Sequence, residues 1–363
     1  MEKTIVFTGG GTGGHVFPGL AIIDQLKNHW EGNIVWIGSS GGMERQLVRD
    51  AGVRFIGIPS GKLRRYISME NIIDVARIIA GFISAFFILA RIKPAAVFSK
   101  GGYVTVPVVA AAALLHLYTV THESDLDPGL ATKINSFFVN RVLVSFEQTR
   151  KHFSLRKQEK IFVTGNPIRP KIFRANPLSA YELLGLKENL PIILFIGGSQ
   201  GAIQINTLLE PIVDRLRRDC FIVHQTGNHG YHGMKKEHYI TFPFIGEELF
   251  DLLSAADLVV SRAGANMLWE IGVMGKPSIL IPLTGSATRG DQVKNARYFE
   301  ENGAAVVLMG EELTSDALYD TITELITNKR RRETMGEAAR TICGTDSNDR
   351  IIEILLQKDG KKI

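Results

Sequence analysis

The sequence predicts an α/β chain of two doubly wound domains, and three observations lead there. Short apolar runs rich in β-branched residues alternate with helical patterns, the alternation restarts after Asn166-Pro167, and three glycine-rich turns follow directly on such runs. Alternation of this kind means a parallel sheet with helices on both faces. A length of 363 residues gives room for two ordinary domains, and 45% hydrophobic with 22% charged residues excludes a disordered or fibrous chain.

The runs at 4–8, 33–37, 95–99, 118–122 and 142–145 read as strands of the first domain, with a helical pattern at 18–27. Those at 192–197, 221–226, 258–261, 278–282 and 305–308 read as strands of the second. Residues 164–176, with Pro167 and Pro170, form the natural linker, because X-Pro steps favour extended connections. Ligands of such sheets bind beyond the carboxyl ends of the strands, so a cleft between the domains is the expected site. The last helical stretch, 347–357, follows Gly344 and is free to pack away from the second domain.

Cys220 and Cys343 match no metal-ligand spacing and suggest a reducing compartment. Met-Glu-Lys leads straight into a strand, without a secretory signal, so a cytoplasmic protein is expected. The longest apolar stretch, 78–90, has 13 residues, short of the roughly 20 needed to cross a bilayer, although it could lie on one. A net charge of +5 suits an anionic partner: nucleic acid, phospholipid headgroup or phosphorylated substrate.

The stretch 9–15, GGGTGGH, is a strand-to-helix turn. Gly9, Gly11 and Gly14 satisfy G-x-G-x-x-G, which lets backbone approach a diphosphate at a helix N-terminus. A nicotinamide-binding domain also needs an acidic residue closing its second strand, and here that strand ends in Gly38, Ser39 and Ser40. The turns SKGGYV (99–104) and GGSQG (197–201) also sit at strand ends, so the three together point to a phosphate or diphosphate ligand. Residues 197–201 fit the G-x-S-x-G nucleophile elbow as well. A hydrolase triad then needs a histidine after the last strands, yet His224, His229, His232 and His238 all precede residue 258. Ser199 is read instead as a hydroxyl donor to a phosphate.

Glu270, with apolar neighbours Leu268, Trp269 and Ile271, is read as the acceptor for ribose hydroxyls. Residues 288–292, TRGDQ, supply polar groups for a sugar, the plainer alternative being a surface loop with Asp291 as a helix N-cap. Asp125-Leu126-Asp127 has the form of a metal-binding D-x-D, but Asp127-Pro128-Gly129 reads more simply as a turn with Asp127 as a cap. His229, His232 and His238 lack a carboxylate at good spacing and are read as surface groups. Residues 61–94 join Lys62, Arg64 and Arg65 to an apolar helical stretch flanked by Arg77, Arg91 and Lys93. Contact with anionic lipid through Phe82, Phe86 and Phe87 is expected, with a wholly buried helix as the alternative.

As a set, these residues resemble the MurG family of peptidoglycan glycosyltransferases over essentially the whole chain. GGGTGGHVFPGLA (9–21), SKGGYVTVP (99–107), HESD (122–125), GNPIR (165–169), GGSQGA (197–202), SRAGAN (261–266) with Glu270, and GDQ (290–292) fall in the family's order and spacing. The resemblance implies a GT-B fold. Residues 1–164 would form an acceptor-binding, membrane-associating Rossmann-like domain, with 345–363 packing back on it, and residues 165–344 a UDP-GlcNAc-binding one. It implies transfer of N-acetylglucosamine, with inversion, from UDP-GlcNAc to the C4 hydroxyl of the muramoyl sugar in lipid I. The product would be lipid II, formed without metal or cofactor at the cytoplasmic face of the inner membrane. The partners implied are the donor, lipid I and anionic phospholipid, with no nucleic acid.

Carried over by position, Arg169 and Ile245 would meet the uracil end and Ser199 the diphosphate. Ala265, Asn266, Met267, Leu268, Trp269 and Glu270 would line the nucleotide, and Gln292 would hold the transferred sugar. Thr12, Gly13 and Gly14 would approach the reacting centre, while Gly10, Gly11, Gly101, Gly102 and Tyr103 form acceptor-diphosphate loops. His15 is the candidate general base or acceptor-positioning group. Two departures stand out: HESD replaces HEQN, putting Asp125 at the sugar-contacting position as an alternative base, and Asp291-Gln292 replaces a pair of glutamines. Outside this reaction the residues leave open a related GT-B transferase on another lipid or glycan acceptor, an NAD-dependent oxidoreductase, and a non-enzymatic nucleotide-sugar sensor.

Overall fold

Two seven-stranded sheets organise the chain, each in its own unit. The computed structural model describes residues 3–61, 69–186, 190–198, 201–228, 234–285, 288–358 and 361–362. One unit comprises Met1–Pro170 with Thr345–Ile363, the other Lys171–Gly344.

The first unit runs β1 (Thr4–Thr8), α1 (Gly13–Leu26), β2 (Asn33–Ser39), α2 (Glu44–Asp50), β3 (Arg54–Ile58), α3 (Met69–Ile92), β4 (Ala96–Ser99), α4 (Thr105–Leu114), β5 (Thr119–Glu123), α5 (Leu130–Asn135), β6 (Arg141–Val144) and β7 (Ile161–Val163). Its strands are parallel in the order 3-2-1-4-5-6-7. Successive side chains of β1 go to opposite faces. Ile5 and Phe7 meet Val16, Ile22 and Leu26 of α1, while Val6 joins Ala85 and Leu89 of α3 and Val108 and Ala112 of α4. Burial on both faces is why the strand reads as an unbroken apolar run.

The second unit runs α6 (Pro177–Leu184), β8 (Ile192–Ile196), α7 (Ile203–Leu209), α8 (Val213–Leu216), β9 (Phe221–Gln225), β10 (Lys235–Lys236), β11 (Tyr239–Phe242), α9 (Leu249–Ala255), β12 (Leu258–Ser261), α10 (Ala265–Val273), β13 (Ser278–Leu280), α11 (Asp291–Glu301), β14 (Ala305–Val307), α12 (Ser315–Thr327) and α13 (Lys329–Cys343). Its order is 10-11-9-8-12-13-14, with only the two-residue β10 antiparallel. Ile193 and Phe195 pack with α7 and α12, and Ile192, Leu194 and Ile196 with α6 and α9.

The chain then returns to the first unit as α14 (Ser347–Leu356), followed by the short strands β15 (Gln357–Lys358) and β16 (Lys361–Lys362). Ile351, Ile352 and Leu355 of α14 enter the same core as Ile22 of α1, and Tyr118 donates its hydroxyl hydrogen to the Ile354 carbonyl at 2.8 Å. Asn348 holds both backbone groups of Ile168, at 2.9 and 2.7 Å, and Asn166 accepts from Ser124. Residues 165–170 therefore belong to the first unit, so the division falls later than the residue-164 boundary read from the sequence.

In both sheets the strand order reverses where glycine turns leave adjacent strands: β1 and β4 in the first unit, β8 and β12 in the second. This switch point is where open α/β sheets bind ligands.

Helix α3 corrects the reading of residues 78–90 as too short to span a bilayer. It is one continuous 24-residue helix, and its segment Ile73–Ile92 has the length and apolarity a crossing would need, with most of that segment not buried. Ala85 and Leu89 nonetheless lie in the core of the unit, so α3 is a layer of the domain with an uncovered face.

Candidate functional site

In the first unit the turns after β1 and β4 interlock. Gly11 and Gly102 take φ of +87° and +89°. A Cβ at Gly102 would stand 2.2 Å from the Gly10 carbonyl oxygen, so no other residue fits this crossing. The His15 ring rests on the second turn: a Cβ on Gly101 would lie 3.4 Å from its Nδ1. Thr12 is the N-cap of α1 and its own side chain makes no capping hydrogen bond, and Gly11, Thr12 and Gly14 are exposed at the start of the helix. That is the geometry of an anion cradle: a helix N-terminus whose backbone can come close to a diphosphate. Tyr103 flanks it, its ring 2.8 Å from where a Gly11 Cβ would be.

Beneath this loop lies a group that the sequence reading missed. Glu44, fully buried, accepts from Ser39 N at 2.8 Å and from Gly11 N at 3.3 Å. Side chains at Gly10 or Gly42 would collide with its carboxyl group. It fixes the turn from below.

HESD spans the end of β5 and the start of the loop that follows it. His122 is buried, with Nε2 2.9 Å from the Gly165 oxygen; burial, reinforced by the nearby Lys100 charge, holds its pKa well below the ordinary value. Its ring is therefore neutral, with Nε2–H donating to Gly165. Glu123 accepts from the N–H groups of Asp125 (3.1 Å) and Gly129 (2.9 Å), and so shapes the turn that carries the half-buried Asp125. Asp127 is not the cap of α5 that the sequence suggested. Gly129 is, and the Asp127 carboxylate pairs instead with Lys133 at 3.2 Å and lies 3.6 Å from His152 Nδ1.

In the second unit Ser199 lies outside the described residues, as do Gln200, His229 and His232. Gln225, unremarked in the sequence, donates from Nε2 to the Gly198 oxygen at 2.5 Å and accepts from Ile245 N at 3.4 Å. One side chain thus ties the glycine turn after β8 to the segment before α9. The Ile245 side chain is buried in the core with Leu249 and Ile196.

Along α10, Leu268 and Trp269 are buried and Ala265 nearly so. Asn266, Met267 and Glu270 fall within an arc of about 100° on the helix, since each residue advances ~100°. Glu270 is 5% exposed, consistent with a carboxylate set among apolar neighbours. Asn295 of α11 donates to the Ala263 oxygen at 3.2 Å, and Gln292 accepts from Leu283 N at 3.0 Å, so α11 is anchored to the ends of β12 and β13. Asp291 begins α11 after the N-cap Gly290 and pairs with Arg289 at 3.1 Å; it is not the N-cap.

Arg169 lies in the first unit and is half-buried. Of the aromatic residues of α3, Phe82 and Phe86 lean on the core and Phe87 is 66% exposed. Val75, Ile79, Ile83 and Phe87, four residues apart, form the exposed apolar stripe. Lys62, Arg64 and Arg65 lie outside the described residues. Among the described residues no group of three or more His, Cys, Asp or Glu side chains is placed to hold a metal ion.

Comparison with known proteins agrees with this layout. Residues 5–144 match the N-terminal domain of glycosyltransferase family 28, and residues 192–351 its C-terminal domain. A Treponema denticola protein named UDP-N-acetylglucosamine–N-acetylmuramyl-(pentapeptide) pyrophosphoryl-undecaprenol N-acetylglucosamine transferase is 43% identical over 94% of both chains. A Legionella pneumophila protein of the same name is 38% identical over 99% of this chain and 98% of its own. Among solved structures, MurG of Acinetobacter baumannii aligns over 97% of this chain and 99% of its own, with a TM-score of 0.77 at 25% identity. The UDP-GlcNAc 2-epimerase of Neisseria meningitidis shares the fold, with a TM-score of 0.67 at 15% identity over 98% of this chain and all of that one. With both of its domains matched and nearly its whole length aligned to these relatives, the chain belongs to glycosyltransferase family 28.

Proposed function

We propose that this protein transfers N-acetylglucosamine from UDP-GlcNAc to the C4 hydroxyl of the muramoyl sugar in undecaprenyl-pyrophosphoryl-MurNAc-pentapeptide, forming lipid II. The observation that carries the reading is the near-full-length similarity to relatives named for this reaction. The glycine turns at the switch point of each sheet support it, because donor and acceptor both carry a diphosphate.

The second unit binds the donor. Backbone groups at the start of α7, with Ser199, hold its diphosphate, and Glu270 accepts from the ribose hydroxyls. Asn266 and Met267 line the same face of α10, and Gln292 holds the sugar. In the first unit, residues 10–14 and 101–103 receive the acceptor diphosphate. The C4 oxygen attacks the anomeric carbon in one displacement, the bond to the diphosphate oxygen breaks, and configuration inverts. The hydroxyl proton passes to His15, the half-buried imidazole at the mouth of the cradle, with Asp125 as the alternative acceptor. No metal takes part, so a chelator leaves turnover unchanged.

The exposed stripe of α3 lies against the anionic cytoplasmic leaflet that carries the lipid acceptor, helped by the net positive charge of the chain. The deciding experiment incubates purified protein with UDP-GlcNAc and a lipid I analogue. UDP release dependent on the acceptor is expected, and its absence sinks the reading.

A further inference from the structure

The side chain of Lys100, between β4 and Gly101, is one of the largest fully buried in the protein, at 2% exposure. Its Nζ donates to Ser124 Oγ at 2.6 Å, Ser124 donates to Asn166 Oδ1 at 2.5 Å, and Ser145 donates to the Glu123 carbonyl at 3.0 Å. The chain of hydrogen bonds joins three motifs far apart in sequence: SKGG, HESD and GNP. Burial draws the pKa of Lys100 down to about 8, while the Glu123 and Asp125 carboxylates draw it back up. A buried ammonium is costly unless charge or hydrogen bonds compensate it, and an apolar residue of similar volume is cheaper to fold. Ser124 and Asp125, where the chain departs from HEQN, are its hydrogen-bond acceptor and one of its counter-charges.

We propose that Lys100 is a positioning residue for the acceptor site, its buried ammonium fixing the turn after β5 through Ser124 and supplying the counter-charge to Asp125. The proposal rests on the transfer reaction argued above. Lys100 reaches solvent only through the groups around it, so it acts on the reaction through Asp125 and not by touching substrate.

The test is a double-mutant cycle in the full-length protein with K100M, D125N and their combination, adding K100Q, which can still donate to Ser124 but carries no charge. Turnover is measured with UDP-GlcNAc and a lipid I analogue, and stability by urea unfolding. K100M and K100Q are expected to lose tenfold or more in kcat with the donor KM within twofold, K100M without loss of stability. D125N is expected to destabilise the wild type but not the K100M background, and the double variant to keep more activity than the product of the single losses predicts. Multiplying losses, a K100M defect that only follows lost stability, or wild-type kcat in K100Q overturns the proposal. Wild type in the same assay reports on the reaction itself: if it is inactive while the unfolding cycle still couples the two residues, the reaction is wrong and the pair is right.

Discussion

The ring of His15 occupies the space that a side chain at Gly102 would need. A Cβ there would come within 3.2 Å of His15 Cδ2 as well as 2.2 Å of the Gly10 oxygen. Gly102→Ala must therefore move both turns and adopt a positive φ, at a cost of order 1–3 kcal/mol. Because displacements near 1 Å can cost about 10² in rate, kcat is expected to fall about that far. Gly52→Ala is the comparison, since φ there is +68° but nothing lies within 4 Å of the added carbon. It should lose stability and keep turnover. Equal kcat losses in the two variants would refute the interlock.

His15→Ala is expected to lower kcat about 10²-fold, the usual worth of a general base, with donor affinity nearly intact. Calorimetric titration with UDP-GlcNAc beside a turnover assay separates the two effects. Lost donor binding with normal turnover of the bound complex would reverse the assignment.

Glu270→Ala addresses the other unit. Removing an acceptor of ribose hydroxyls leaves donor groups of the ligand unpaired, which costs about 1–3 kcal/mol. The KM for UDP-GlcNAc is expected to rise by ten- to a hundredfold with a smaller change in kcat. An unchanged KM removes the ribose role.

The stripe on α3 separates lipid contact from packing. Ile79, Ile83 and Phe87 are exposed, so replacing all three with Ser should leave folding unaltered and weaken binding to anionic vesicles tenfold or more, as each buried apolar side chain contributes about 1.5–3 kcal/mol. Phe82→Ser is expected instead to lower stability, because Phe82 packs on the core. Vesicle sedimentation with the folded triple variant decides it, and wild-type binding would show that the stripe faces something other than lipid.

The interior of each sheet was legible because burial on both faces forces continuous apolar runs, as at β12, read from sequence at the same residues 258–261. Edge strands β3 and β7 escaped notice. The first is half exposed and interrupted by Gly57, and the second has three residues, so neither shows a clean period. The start of α1 was placed late because Gly13 and Gly14 are poor helix formers and Pro18 reads as a first helical position, whereas α1 carries Pro18 inside its length. The candidate site was legible wherever glycines mark a turn. Glu44 and Lys100 were not, because charged residues beside glycines read as surface. Their burial depends on partners distant in sequence: Gly11 for one, Ser124 and Asn166 for the other.

His224 gives the second unit a pH dependence of definite sign. Its ring is buried on β9, with Nδ1 3.1 Å from the Tyr239 hydroxyl and Nε2 2.9 Å from Asn206 Oδ1. Asn206 in turn donates to the Thr226 carbonyl at 2.9 Å, so its amide oxygen faces the ring and Nε2 must carry the proton, leaving Nδ1 to accept from Tyr239. That arrangement needs a neutral imidazole, and burial pulls the pKa from 6.5 to about 4. Between these values the unfolded chain binds a proton that the folded protein refuses, so stability is lost as pH falls through that window and not above it. The loss amounts to about 3 kcal/mol when complete near pH 4. His224→Gln cannot titrate, and its deficit relative to wild type should shrink by about that amount between pH 7.5 and pH 4, measured by urea unfolding. A deficit constant across the range would mean that the folded ring takes up its proton over the same pH range as the unfolded chain, contrary to the hydrogen bonds it makes.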